Sequence, residues 1–163
     1  KMTNNLVTNL NKLTKNKSIL VLDKLPNLQI TLSTFNIPGI SLPSASFQSP
    51  FFNKPVYGDK LEFNNLFLNF VVSENLENWL EVFDWMYKLA NPIEKGDIDL
   101  TYITGTIIIH NSDNKPIFNV EFLDIVPVSL GDMYFSETEN SSEDITSSIV
   151  FEYEQYKVTR IPL

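Results

Sequence analysis

The spacing of apolar residues changes once between residues 61 and 90, and that change constrains the fold more than any other feature. Leu66, Leu68, Phe70 and Val72 recur every second residue, the period of a β-strand. From Leu76 the interval becomes three or four residues. The residues concerned are Leu76, Trp79, Leu80, Phe83, Met86, Tyr87 and Ala90. This pattern predicts one amphipathic helix of about four turns, capped by Ser73 or Asn75 and ended by Asn91 before Pro92.

Predicted strands lie on both sides of this helix in the sequence. They form a hairpin of residues 19–22 and 28–32, a second hairpin of residues 102–110 and 116–122, and a last strand over about residues 145–158. Strands around a single helix predict an α+β, mainly β domain. We expect an antiparallel β-sandwich or partly closed barrel with the helix packed on one side, formed by residues 18–163.

Residues 1–17 are predicted to be a separate arm. Leu6, Val7, Leu10 and Leu13 have a helical spacing among Asn, Thr and Lys residues, which indicates a short arm or helix. The arm is basic, whereas the net charge of the chain is −8. No Lys or Arg occurs between Lys115 and Lys157. This balance argues against a dedicated nucleic-acid binder, because such proteins use Lys and Arg to neutralise phosphates.

Residues 37–57 combine four prolines with several aromatic residues. The prolines predict a long ordered loop with at most short edge strands. Its aromatic residues are candidates for subunit contacts, and they are Phe47, Phe51, Phe52 and Tyr57. The alternative is that these side chains fold back onto the core.

The sequence offers little for catalysis or for cofactors. There is no Cys, and the single His110 is predicted at the end of a strand. Asp97 and Asp99 could serve a carboxylate-pair hydrolase, and residues 137–144 are acidic but lack the glycine and ligand spacing of a calcium loop. We expect no catalytic residue, no metal and no cofactor. No apolar run has the length of a membrane span, so no membrane partner is expected.

Four segments follow one another in an order that resembles a known family. They are PGISLP at residues 38–43, GDKL at 58–61, the acid-led helix ENLENWLEVFDW at 74–85 and the strand end FEYEQY at 151–156. This succession is similar to the tail tube family of contractile-tailed, T4-like bacteriophages, including its tube-like initiator and terminator proteins. The matching features extend over about residues 20–158.

The resemblance implies a structural virion protein without enzymatic activity. It implies a hexameric ring of a contractile tail tube that is assembled in the host cytoplasm and forms a conduit for DNA during ejection. The implied partners are adjacent rings, sheath proteins and baseplate proteins. DNA must slide through such a lumen, so acidic walls that repel phosphate are expected. The candidates for the lumen are Glu121, Asp124, Glu152 and Glu154.

Two alternatives remain beside the main tube ring. Within the family, the chain could be a baseplate initiator or a tail terminator that stabilises the sheath. In a different class, it could be a monomeric carbohydrate- or protein-binding β-sandwich. That protein would use Phe47, Phe51, Phe52 and Tyr57 as its contact platform.

Overall fold

An antiparallel sheet carries two helices and a projecting hairpin. The computed structural model describes residues 13, 17–48, 50–91, 102–137 and 143–162. The helices are α1 (Pro26–Ile30) and α2 (Glu77–Ala90). The strands are β1 (Ser18–Leu22), β2 (Leu32–Phe35), β3 (Ile40–Ser41), β4 (Ser44–Gln48), β5 (Asn53–Tyr57), β6 (Glu62–Phe63), β7 (Leu66–Val71), β8 (Ile103–His110), β9 (Pro116–Leu130), β10 (Thr146–Glu152) and β11 (Gln155–Arg160).

Strand β9, which is 15 residues long, belongs to both halves of the main sheet. Its first part pairs with β8 on one side and β11 on the other, and its last part pairs with β10. The strand order is β1-β8-β9-β10-β7-β2, so the sheet is open at β1 and β2. Two register shifts leave an extra residue on β9, one opposite β8 near Asp124 and one opposite β10 at Val128. With the positive φ of Asp124 (54°), they mark the region where β9 passes between the halves. The predicted mainly β, antiparallel α+β class is confirmed.

The core lies between the inner faces of the two half-sheets and α2. The strand alternation predicted for residues 66–72 is confirmed, because Leu66, Leu68 and Phe70 are fully buried while Phe67 is 53% exposed. From α2, Trp85 packs against Phe151 of β10 with ring centroids 6.1 Å apart. Burial of such aromatic side chains supplies much of the folding free energy of a domain this size.

Helix α2 forms where predicted, but a different residue organises its start. Leu76 occupies the cap position with φ 60° and provides no side-chain hydrogen bond. The buried amide of Asn78 instead accepts hydrogen bonds from the backbone N–H groups of Ser73 (3.1 Å) and Trp79 (2.9 Å). The prediction of Ser73 or Asn75 as the cap is therefore wrong.

The first predicted hairpin is also wrong. Residues 26–30 form the one-turn helix α1, which Pro26 starts at a position where its missing N–H costs nothing. Strand β1 pairs with β8, and β2 pairs with β7. A short apolar run such as residues 28–32 fits a strand or a buried helical turn equally well, so its period could not separate the two.

The remaining predicted strands are largely confirmed. Strands β8 and β9 form the second hairpin, and Asn111 stabilises its turn by accepting hydrogen bonds from the backbone of Asp113 and Lys115, both at 2.9 Å. The last predicted strand divides into β10 and β11, with the break at Tyr153 and Glu154, and both parts pair with β9.

Several predictions concern residues outside the described ranges. The arm helix is one, since only Leu13 and Lys17 of residues 1–17 are described. The carboxylate pair Asp97 and Asp99 and the middle of the acidic loop at residues 137–144 are the others.

Candidate assembly surfaces

Strands β4 and β5 form a projecting hairpin, residues 44–57, that lies away from the core. Its ladder joins five residue pairs, from Ser44 opposite Tyr57 to Gln48 opposite Asn53. All the described residues of the hairpin are exposed. The sequence predicted an ordered loop here with at most short edge strands, and the structure instead forms a regular hairpin. Pro55 is accommodated because a two-stranded ribbon has unpaired outer edges.

The four predicted contact residues all lie on this hairpin and are exposed. The exposed fractions are 67% for Phe47, 92% for Phe51, 65% for Phe52 and 77% for Tyr57. The alternative in which they fold back onto the core is therefore wrong for the isolated chain. Exposed aromatic surface often marks interaction sites on proteins, which supports a role in subunit contacts. That role stays a prediction.

The segments next to the projecting hairpin, which contain Pro38 and Asn64 and which we call its root, are hydrogen-bonded to residues at the break between β10 and β11. The Tyr153 hydroxyl donates to the carbonyl oxygen of Asn64 (2.7 Å), and the Tyr156 hydroxyl donates to that of Pro38 (2.9 Å). Burial, with a smaller contribution from Tyr156, raises the pKa of Tyr153 to about 12, so its hydroxyl remains a donor at neutral pH. The root is therefore positioned firmly on the domain.

Gly58 marks the boundary between the root and the projecting hairpin. Its N–H donates to the carbonyl oxygen of Pro43 at 2.6 Å. A Cβ at position 58 would lie 3.0 Å from that same oxygen, so only glycine fits without a shift of the backbone.

Helix α2 presents a second uncovered surface, which we call the aromatic stripe: Trp79, Leu80, Phe83 and Tyr87. The rings of Trp79 and Phe83 stack at 5.2 Å and 13°, and those of Phe83 and Tyr87 at 6.3 Å and 22°. Leu80, Phe83 and Tyr87 are 42%, 43% and 55% exposed. The sequence indicated an amphipathic helix with these residues in its apolar pattern, but the residues that the structure buries are Asn78, Val82 and Trp85. The apolar arc of the helix is wider than the surface that the sheet covers.

The predicted lumen acids gather around the middle of β9. Glu121 lies on β9 with Thr106 and Lys157 opposite it, and Glu152 lies opposite Val126. Asp124 follows Leu123, whose carbonyl oxygen accepts a hydrogen bond from the Glu154 N–H at 3.0 Å. All four acids are exposed. Their orientation toward a lumen stays a prediction.

The described part of the chain gives few starting points for chemistry. His110 ends β8, as predicted, and its N–H donates to the carbonyl oxygen of Lys17 at 2.8 Å. Within the described ranges, no three His, Asp or Glu side chains lie close enough together to hold a metal ion. No helix in those ranges has the length and apolarity to cross a membrane. An open groove of about 740 Å³ runs beside Tyr134, Glu137, Glu143 and Asp144.

Comparison with known proteins finds similarity to a phage tail protein. No protein-family model matches the chain. It is 26% identical over 133 residues to the tail tube terminator protein of Enterobacteria phage T4, a match that covers 76% of this chain and 74% of the relative. The chain is similar in sequence to this phage tail protein. The resemblance inferred from the order of elements is thereby confirmed.

Solved structures of contractile injection systems have the same fold. The tube-terminating cap of the anti-feeding prophage matches with a TM-score of 0.71 at 13% identity, covering 98% of this chain and 99% of that one. The sheath/tube terminator of an extracellular contractile injection system matches with a TM-score of 0.68 at 15% identity, covering 91% and 97%. A chain of the sheath–tube complex matches with a TM-score of 0.69 at 14% identity, covering 92% and 93%.

The comparisons bear differently on the predicted positions along a tail. The structural scores do not separate a tube subunit from a terminator, since 0.69 lies between 0.68 and 0.71. The sequence match is to a terminator, the protein of phage T4. It favours the predicted terminator alternative over the main tube ring. The relatives are structural tail proteins, which agrees with the expectation that this chain is not an enzyme.

Proposed function

We propose that this chain is a tube terminator, a structural subunit whose ring ends the tube of a contractile phage tail. The observation that carries the proposal is the sequence match to the T4 tail tube terminator, which extends over 76% of this chain and 74% of that protein. Coverage of 98% and 99% against the anti-feeding prophage cap supports it. The ring is a homo-hexamer through which DNA passes, and it contacts the last tube ring and the sheath.

Two features of the fold support self-association. The sheet is open at β1 and β2, and an open edge offers unpaired backbone groups to another chain. The projecting hairpin is a separate two-stranded ribbon, a structure that is marginally stable in water without a partner. Both features are accounted for if neighbouring copies cover them in a closed ring.

The main tube subunit is the second candidate function. It is supported by the TM-score of 0.69 to a chain of the sheath–tube complex. The two functions differ in copy number, because a terminator forms one ring per tail whereas a tube subunit forms every ring along the tail.

Copy number in purified particles tests the proposal. We would measure it by quantitative mass spectrometry against the sheath protein and locate the chain by cryo-electron microscopy of the tail. A terminator gives density at one end of the tube and a copy number of one ring. Density along the whole tube would contradict the terminator role in favour of the tube subunit. A monomer absent from tails that binds glycans saturably would favour the β-sandwich alternative over both.

A further inference from the structure

The aromatic stripe on α2 requires a covering partner that the described residues do not supply. Phe83 and Tyr87 continue the stack begun by Trp79 outward from the core, and Leu80 lies beside them. Exposed acids border the stripe on α2, namely Glu77 and Asp84. A complementary partner would therefore bring an apolar face and positive charge.

Residues 1–16 of this same chain have that chemistry. Leu6, Val7, Leu10 and Leu13 recur at the interval of one helical face. The lysines of this segment are Lys1, Lys12 and Lys15, and it contains no acid. Leu13 is 64% exposed, so it does not pack on the described core. The segment thus carries an apolar pattern and a charge that complement the stripe and its acidic border.

We propose that residues 1–16 of one copy bind the aromatic stripe of the next copy in the ring. The neighbouring copy is preferred because of where the arm begins. Ser18 lies opposite Ile109 at one end of β1, whereas α1 follows the other end. It is α1 that contacts α2, through the Leu28 N–H and the Glu81 carboxylate at 3.3 Å. The arm and α1 therefore lie at opposite ends of β1, which has five residues and is about 16 Å long. The strand runs from the arm toward the chain's own α1 and α2.

The arm is long enough to reach the stripe of its own copy or that of a neighbour. Sixteen residues extend over about 24 Å as a helix and about 50 Å as an extended chain. The role of the neighbouring copy rests on the proposed ring, whereas the match between arm and stripe does not. The two can accordingly be tested apart.

Peptide binding tests the match between arm and stripe. A fluorescent peptide of residues 1–16 is titrated into the chain that lacks those residues, and its anisotropy is measured. We expect saturable binding that weakens at least tenfold with Phe83→Ser or Tyr87→Ser in the protein, or with Leu6→Ser and Leu10→Ser in the peptide. Two stripe variants are used so that one folded variant, verified by circular dichroism, suffices. Phe67→Ser is the matched control, because Phe67 is 53% exposed on β7 and outside the stripe.

The outcomes separate this inference from the proposed function. No binding, or binding that Phe83→Ser and Tyr87→Ser leave unchanged, would overturn the inference even if rings form. In the full chain, quenching of Trp79 fluorescence reports whether the stripe is covered. If the protection from quenching is the same at all protein concentrations, the arm covers its own helix and the neighbour assignment is wrong. Concentration-dependent protection supports the assignment. Peptide binding without any ring in tails would contradict the proposed function and leave the match between arm and stripe standing.

Discussion

Asn78 is a fully buried amide whose hydrogen bonds join α2 to the segments before it. Besides accepting from Ser73 and Trp79, it donates to the Thr31 hydroxyl (2.7 Å) and to the Val71 carbonyl oxygen (2.8 Å). Both the oxygen and the nitrogen of the amide are thus paired inside the protein. Sequence rules direct attention to the residue before a helix, so a capping group inside the first turn was missed.

Asn78→Ala should lower the free energy of unfolding by about 2–4 kcal/mol, because it leaves buried backbone and hydroxyl groups unpaired. Urea denaturation measures this difference. The control is Asn75→Ala, since Asn75 is exposed and accepts only a 3.4 Å hydrogen bond from the Glu77 N–H. A loss as large for Asn75→Ala as for Asn78→Ala would contradict the role assigned to Asn78.

Glu81 should make stability depend on pH. Burial raises the pKa of Glu81 above its ordinary 4.5, and this outweighs the hydrogen bonds from the backbone of Leu28 and Asn27. Because the pKa of Glu81 is higher in the folded protein than in the unfolded chain, the contribution of Glu81 to the free energy of unfolding is complete below the unfolded pKa. It is lost as the pH rises through the folded pKa.

Glu81→Gln should remove that loss, since the amide can accept the same hydrogen bond without charge. Relative to the unchanged protein, the variant should gain stability in urea unfolding as the pH rises above 4.5, the ordinary pKa of Glu81. Glu77→Gln, at an exposed position on the same helix, is the control. If Glu81→Gln instead loses stability relative to the unchanged protein as the pH rises, the pKa of Glu81 is lowered rather than raised by folding.

At the scale of elements, burial determined what the sequence could predict. Strands with one buried face, such as β7 and β8, have an alternating pattern that the sequence displays. The projecting hairpin has no buried face, so its five-residue strands leave no such pattern and its prolines suggested a loop. The aromatic stripe could not be distinguished from a core face for the opposite reason, because an apolar helix face does not reveal what covers it.

Removal of the projecting hairpin should separate assembly from folding. Pro43 and Gly58 are already joined by a hydrogen bond, so residues 44–57 can be replaced by a two-residue Gly-containing turn. We expect the melting temperature to stay within about 4 °C, because the hairpin buries none of its described residues, while ring formation is lost. Calorimetry and mass photometry measure the two effects.

A milder variant carries Phe47→Ser, Phe51→Ser and Phe52→Ser. The control carries Tyr134→Ser and Phe135→Ser, at positions 82% and 71% exposed outside the hairpin. Rings that persist without the hairpin would refute its role in subunit contacts.

At the scale of the whole molecule, charge distribution is the property that bears on the proposed passage of DNA. The acids predicted to line the lumen come from distant parts of the sequence, and the structure brings them together only through the pairing of β9 with β10 and β11. Sequence could therefore indicate an acidic second half of the chain but not the strand register that places these acids around the middle of β9. Lys157 opposite Glu121 is the cation nearest to them in strand register.

Neutralising these acids should increase the affinity of the assembled ring for DNA. We expect the combined variant Glu121→Gln, Asp124→Asn, Glu152→Gln and Glu154→Gln to bind short duplex DNA more tightly, most clearly at low salt. Asn is suitable at position 124 because it tolerates the positive φ there. Fluorescence anisotropy of labelled DNA measures the change.

The control removes the same amount of charge from exposed acids elsewhere. It carries Asp23→Asn, Asp59→Asn, Asp113→Asn and Asp132→Asn. An equal rise in affinity for both variants would mean that net charge, rather than the position of these acids, governs repulsion of DNA.

The sharing of β9 between the two half-sheets has a mechanical consequence. Because one 15-residue strand is paired along both halves, they cannot slide past each other without breaking backbone hydrogen bonds on several strands at once. In the proposed role at the end of a contractile tail, the domain should therefore transmit force as a stiff body. Compliance would be concentrated in the projecting hairpin, whose link to that body passes through Pro43 and Gly58.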